Sequence, residues 1–382
     1  MSDREFLRYP DLAGRALGGA VVYANDESFA ERENLIKPAP AVHDPTEFGH
    51  KGKVYDGWET RRRRTPGHDW AIVRLGVPGV VHGVIVDTAF FRGNYPPEIS
   101  VEAAGFDGYP TPEQLNTAQW ATIVPRAFVE GHAATPFTVD DPRRYTHVRL
   151  SMYPDGGIAR FRVHGEAVTD PRLLVTGGLD LASLENGGLV TACSNQFYGS
   201  PNQLISPGLA KAMADGWENA RRRDGGNDFV EFALAGSGRV QLLELDTSYF
   251  LFNAPGAAKV TGVDETSADP ADPGSWFTLL ERTDLSPDTR HRFAVHDAPP
   301  ATRLRLDVYP DGGLARFHAI GQLSTEGADA LWLRWFNTLP DAQLLVALTG
   351  MGATEDTIER LRAIRPAATL ADLPVEVVAL LG

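Results

Sequence analysis

The sequence predicts an all-β protein: one sandwich or jelly-roll domain, present twice in tandem, followed by a short helical C-terminal extension. Three observations predict it. The chain repeats itself: VYDGWETRRRR at 54–64 is answered by MADGWENARRR at 213–223, and DTAFFRGNYP at 87–96 by DTSYFLFNAP at 246–255. The register between these strings is a constant 159 residues, the length of an independent domain and far beyond a solenoid unit. Within each copy apolar residues alternate with polar ones, and 38 glycines and 27 prolines punctuate short segments.

The elements follow in order. GGAVVYANDESFAERENLI (18–36) faces GGLVTACSNQFYGSPNQLI (187–205) and opens each copy with a strand and a polar loop. VVHGVIVDT (80–88) and RVQLLELDT (239–247) are more continuously apolar and suit interior strands. In YTHVRLSMY (145–153), Val148, Leu150 and Met152 alternate with Arg149, Ser151 and Tyr153; TRLRLDVYP (302–310) reads the same way. YPDGGIARF (153–161) and YPDGGLARF (309–317) place a Pro-Asp-Gly-Gly turn before a closing strand, since proline presets φ and glycine accepts positive φ. The expected organisation is repeat one at 1–168, a linker at 169–183, repeat two at 184–328 and the helical extension at 329–382. In that extension Thr354 caps a helix carrying Ile358, Leu361 and Ile364, and Pro366 stops it. Its composition suits packing or oligomerisation rather than chemistry.

The bulk properties narrow the function. A net charge of −14 argues against non-specific nucleic-acid or anionic-membrane binding. The arginines nevertheless concentrate at 61–64 and 221–223, a pattern suited to a small anion. One cysteine, Cys193, allows no internal disulfide. No apolar run approaches the roughly 18 residues of a membrane span, and the N-terminus lacks an apolar signal stretch. A soluble cytoplasmic protein is the expectation.

The candidate chemistry lies in the repeated strings. Asp56, Glu59, His68 and Asp69 are the catalytic candidates. His68 is expected to be raised in pKa beside Asp69 and to act as an acid. The substrate-binding candidates are Arg61, Arg62, Arg63, Arg92, Asn94, Asp87, Asp26 and Glu27, because arginine forks clamp carboxylates and amides read polar groups. Their second-copy counterparts are Asp215, Glu218, Arg222, Asp228, Asp246 and Asn253. Each has a plainer reading: loop charges pairing with one another, a surface histidine, or Asp87 and Asp246 capping turns. Asn25-Asp26-Glu27 facing Ser194-Asn195-Gln196 offers carboxylates in one copy where the other has amides. HxH, HExxH and CxxC spacings are missing, so no cofactor is firmly expected. A divalent metal on scattered carboxylates and one histidine stays open. No GxSxG elbow or P-loop appears.

GKVYDGWETRRRR, GHDW, VDTAFFRGNYPP and the paired DESFAERENLI and SNQFYGSPNQLI loops resemble the allantoicase family over residues 17–320 or so. The resemblance implies two tandem jelly-roll domains similar to galactose-binding-like sandwiches. It also implies hydrolysis of allantoate to ureidoglycolate and urea in purine breakdown, and a homo-oligomer, a hexamer being the expected size. Allantoate carries one carboxylate and two ureido groups on one carbon. Arginines would clamp the carboxylate, and Asp56, Glu59, Arg62, His68, Asp69 and Arg92 would form the site, with hydrolysis or prior loss of urea both open. The competing readings are a carbohydrate- or small-anion-binding module and a catalytically silent scaffold. Trp58 and Trp217, set between glycine and glutamate, look like packing rather than a sugar platform.

Overall fold

A computed structural model describes residues 5–174 and 178–373. Residues 175–177, inside the expected linker, and 374–382, the end of the expected extension, lie outside the described residues. The chain divides into two compact units, 1–168 with 335–382, and 169–334.

In the first unit one long strand, Asp69–Asp87, organises everything else. Its first part pairs antiparallel with Ala20–Ala24 on one side and Arg144–Tyr153 on the other. Its second part pairs with Arg160–Ala167 and Ala134–Thr138. Beyond Arg144–Tyr153 lie Glu98–Ala104 and then Ala121–Phe128. A strand that changes partners along its length turns a corner between two sheets, which is how a sandwich closes. The corner falls between Arg74 and Gly79, where the pairing shifts register. Gly79 is required there: a Cβ would stand 2.1 Å from the Glu166 carbonyl oxygen. The two inner faces meet in one core that includes Trp58, Val73, Val84, Val101, Leu150 and Phe161.

The second unit repeats the plan. Asp228–Asp246 pairs early with Leu189–Cys193 and Ala301–Tyr309, and late with Arg316–Leu323 and Arg290–Ala294. Ala257–Val263 and Phe277–Asp284 continue its sheet. Leu179–Asp180, placed by the sequence reading in the linker, is a strand paired with Arg316–Leu323. The Pro-Asp-Gly-Gly turns carry cis peptides at Tyr153-Pro154 and Tyr309-Pro310, with Gly156 and Gly312 at positive φ.

The tail is helical at Thr325–Thr338, Asp341–Gly350 and Glu355–Ala363. The Thr354 side chain caps the last helix, accepting from the Thr357 N–H, and Ile358 and Leu361 are buried. Residues from Trp335 onward belong to the first unit, where Gln343 donates to the Phe106 carbonyl at 2.9 Å.

Candidate active site

The DGWE string of repeat one forms a two-residue strand, Trp58–Glu59, and that of repeat two a single bridge, Trp217 to Leu314; each lays its tryptophan into the core. The Trp58 indole N–H donates to the Asp26 carbonyl, and Trp217 donates likewise to Asn195, both at 2.8 Å. Gly57 must be glycine, because a Cβ would lie 2.7 Å from the Ile158 carbonyl oxygen. Trp58 and Trp217 are therefore packing, and they fix where the arginines that follow emerge.

Arg63 is held twice. Its backbone N–H donates to Asp155 Oδ2 (2.7 Å), and its guanidinium to Asp69 Oδ1 (2.9 Å). Arg222 repeats both bonds with Asp311 and Asp228. Arg63 and Arg222 thus correspond, which matches Arg62–Arg64 to Arg221–Arg223 and sets Arg61 opposite Ala220. Asp69 is 2% exposed. Asn25 Nδ2 also donates to Asp69 Oδ1 (3.0 Å), while the other carboxylate oxygen has no partner, as in Asp228.

Asp26 ties the first loop to the arginine loop. Its Oδ1 accepts the backbone N–H groups of Ser28 and Arg61, both at 3.0 Å, and its Oδ2 pairs with the Arg61 guanidinium at 2.7 Å. Burial works against the charge of Asp26. The bonds from Ser28 and Arg61 outweigh it and hold the carboxyl below the usual range. Around these groups lies a cavity of about 380 Å³ lined by Asn25, Asp26, the four arginines, Thr65 and Asp69. Arg62 and Arg64 are exposed, and neither has a hydrogen bond or ion pair to a described side chain. They are the guanidiniums available to an anion.

Glu59 lies two residues before Arg61, at the end of the Trp58–Glu59 strand. Its Oε1 accepts from Asn94 Nδ2 at 2.7 Å, as Glu218 accepts from Asn253 at 2.6 Å. Burial pushes the Glu59 carboxyl above its ordinary value, with the Asn94 bond opposing. Glu59 therefore keeps its proton to higher pH than an open carboxyl.

Other candidates stand elsewhere. Asp56 is engaged by the buried Arg160 guanidinium (2.6 Å), Lys37 and the Val42 N–H. Burial opposes its charge, and these partners overcome it to hold the carboxyl low. Asp87 accepts from the Ala89 N–H and Asp246 from the Ser248 N–H, both at 2.8 Å, in the turn-capping arrangement. Glu27 receives the Arg32 N–H, and Arg92 is exposed on its loop.

His68 corrects the expectation made for it. Neighbouring residues on a strand point to opposite faces, so its ring leaves Asp69 and lies tilted against Trp70 and Tyr153 on the outer sheet face. Its pKa is lowered, not raised: burial comes first, then the positive charges of Arg149 and Arg63. The sequence reading missed Asp155, Asp311, Arg160 and Arg316. Their signal was the duplicated PDGG(I/L)ARF string, which was read only as a turn and a strand. Among the described residues no three His, Cys, Asp or Glu side chains converge closely enough to hold a metal ion.

Comparison with known proteins adds four findings. A family model described as the allantoicase repeat matches residues 10–168 and 179–324. A probable allantoicase of Nocardia farcinica is 56% identical over 326 residues, covering 85% of this chain and 97% of that protein. An allantoicase of Dictyostelium discoideum is 40% identical over 314 residues, covering 80% of this chain and 85% of that protein. The crystal structure of allantoicase from Saccharomyces cerevisiae superposes with a TM-score of 0.70 at 33% identity, covering 82% of this chain and 92% of that one.

Proposed function

The chain belongs to the allantoicase family, and from that premise we propose how it hydrolyses allantoate to ureidoglycolate and urea in purine breakdown. The reaction takes place at the arginine loop of repeat one. The observation that carries this reading is the cavity in which Arg62 and Arg64 are left without partners among the described residues while Arg61 and Arg63 are fixed by buried carboxylates.

The free guanidiniums clamp the substrate carboxylate with charge-assisted bonds. Asp26 and Asp69 are positioning residues that hold the loop in shape. Glu59, protonated beyond the ordinary carboxyl range, gives its proton to the leaving ureido nitrogen as the C–N bond breaks. Water adds its hydroxyl to the central carbon, and its remaining proton returns to the Glu59 carboxylate. Urea leaves, ureidoglycolate remains, and the acid is restored. Asn94 holds Glu59 in place through this cycle. A homo-oligomer in the cytoplasm is the accompanying reading, and it rests on membership of the allantoicase family.

Urea release from allantoate by the purified protein tests the proposal. The native chain turns over, and Arg62→Ala loses activity roughly ten- to hundredfold, the worth of a charge-assisted bond. Full activity in Arg62→Ala would remove the arginine loop from the reaction.

A further inference from the structure

The outer sheet face of repeat one carries a second cavity, of about 430 Å³, beneath His68 and Trp70. Its floor is built by strand register. Trp70 stands directly opposite Ser151, and Ser151 opposite Ser100, so the three side chains form a row on one face. Two donors in that row are unused: the Trp70 indole N–H and the Ser151 hydroxyl are buried without a hydrogen-bond partner. Ser151 is 1% exposed. Of this row, Trp70 and Ser100 line the cavity itself.

The walls add the rest of the recognition. Arg149 pairs with Glu102 through Nε (2.8 Å) and leaves Nη1 unbonded. Glu102 takes both Arg149 contacts on Oε2 and leaves Oε1 open as an acceptor. Arg126 pairs with Glu98 and lies over the Tyr153 ring, whose hydroxyl meets Ser100 Oγ at 2.9 Å. The arginines are thus already balanced by carboxylates, so a bare anion gains little here. A ligand that joins a carboxylate to its own N–H donors satisfies both halves of the set.

Repeat two keeps the frame and loses the set. Arg282 lies over Tyr309 as Arg126 lies over Tyr153. The places of Trp70, Ser100, Glu102 and Ser151 are taken by Phe229, Lys259, Thr261 and Asp307. Asp307 is satisfied inside the sheet, accepting from Asn227 and pairing with Arg305.

We propose that the cavity under His68 and Trp70 is a second binding site of repeat one for a small ureido acid, separate from the arginine loop. The carboxylate meets the Arg149 guanidinium beside the Trp70 ring, and a ureido N–H meets Glu102. The identity of the ligand class rests on the allantoate reading, and both substrate and product carry this chemistry.

The Trp70 indole N–H gives a direct readout. In the full-length protein its NMR resonance is assigned by its loss in Trp70→Phe, then followed during titration with allantoate in the Arg62→Ala background and with ureidoglycolate in the native chain. The resonance shifts with one of these ureido acids, and the tighter one identifies the source. Arg149→Gln and Glu102→Gln, at unchanged thermal stability, weaken that binding at least tenfold by calorimetry. An immobile resonance under saturating ligand, or an equal response to acetate, overturns the proposal. Absence of urea release by the native chain would instead defeat the allantoate reading, which this resonance does not report.

Discussion

Repeat one closes the Arg61 guanidinium onto the Asp26 carboxylate, whereas repeat two has Ala220 and Asn195 in those places. The backbone does not register the change. Asp26 Oδ1 accepts the N–H groups of Ser28 and Arg61, and Asn195 Oδ1 accepts those of Phe197 and Ala220. Both tryptophans donate to the same carbonyl, and both Glu–Asn pairs are kept. The difference teaches which groups build the loop and which are surplus to building it. Acceptors, indoles and the Arg63 and Arg222 anchors are architecture. The charges of Asp26 and Arg61, and the His68 and Trp70 face, belong to repeat one alone.

The largest expected effect comes from the buried arginines. Arg160 bonds the Asp56 carboxylate together with the Asp56, Ala159, Ala39 and Pro40 carbonyls. Arg316 bonds the Gly208, Asp215 and Ala315 carbonyls, while the Asp215 carboxylate accepts instead from the Lys211 N–H. Arg160→Met leaves the Asp56 carboxylate to Lys37 and the Val42 N–H alone and costs about 3 kcal/mol in urea denaturation. Arg316→Met orphans only carbonyls and costs about 1–3 kcal/mol. Equal losses would show that Asp56 is not what the Arg160 cradle exists to hold.

Glu59 comes next. Its folded pKa lies above the open-carboxyl value, so the proton is bound more tightly in the folded chain. The contribution of that proton to stability is complete below the unfolded value and disappears as pH rises through the raised one. A reaction that needs the protonated acid declines over the same upper range. Glu59→Gln lowers kcat at least about a hundredfold and removes this limb from the pH–rate profile. A limb that survives in Glu59→Gln would assign the proton to another group.

The arginine loop sharpens the comparison at smaller scale. Arg62→Ala reduces kcat/KM by roughly ten- to hundredfold, and its counterpart Arg221→Ala by less than about twofold. Matching losses in the two variants would make both repeats reactive.

Fold and frame were legible in the sequence because they repeat. The constant register aligned the Trp58 and Trp217 segments, and alternation in 145–153 found the strand that carries Arg149 and Tyr153. The arrangement of charges was less legible, for a geometric reason. His68 and Asp69 are adjacent in the chain yet face opposite sides of the sheet, so proximity in sequence suggested a pair that the strand separates. Asp56 looked free until Arg160, 104 residues away, was seen to hold it. Asp155 lay in plain view inside a turn motif, but its bond to the Arg63 N–H spans 92 residues and no local rule reports it.

The smallest expected effect is also the most discriminating. Asp26→Asn gives repeat one the chemistry that repeat two already tolerates. The amide oxygen keeps both backbone N–H bonds, and only the ion pair to Arg61 is lost. The Arg61 side chain is 73% exposed, so that pair is worth under about 1 kcal/mol. Asp26→Ala removes the acceptor as well, leaves the Ser28 and Arg61 N–H groups unpaired, and costs about 1–3 kcal/mol. The carboxyl of Asp26 is held low, so its contribution is present above the unfolded carboxyl value and lost as pH falls through the depressed one. Denaturation of Asp26→Asn should therefore lack that acid-side loss while matching the native chain near neutrality to within 1 kcal/mol or so. The reverse exchange, Asn195→Asp, introduces a carboxylate beside Ala220, where repeat one has Arg61, and it destabilises repeat two more than Asp26→Asn destabilises repeat one. If the two exchanges cost the same, charge rather than hydrogen-bond acceptance shapes this loop, and the division between architecture and surplus charge fails at its most exposed point.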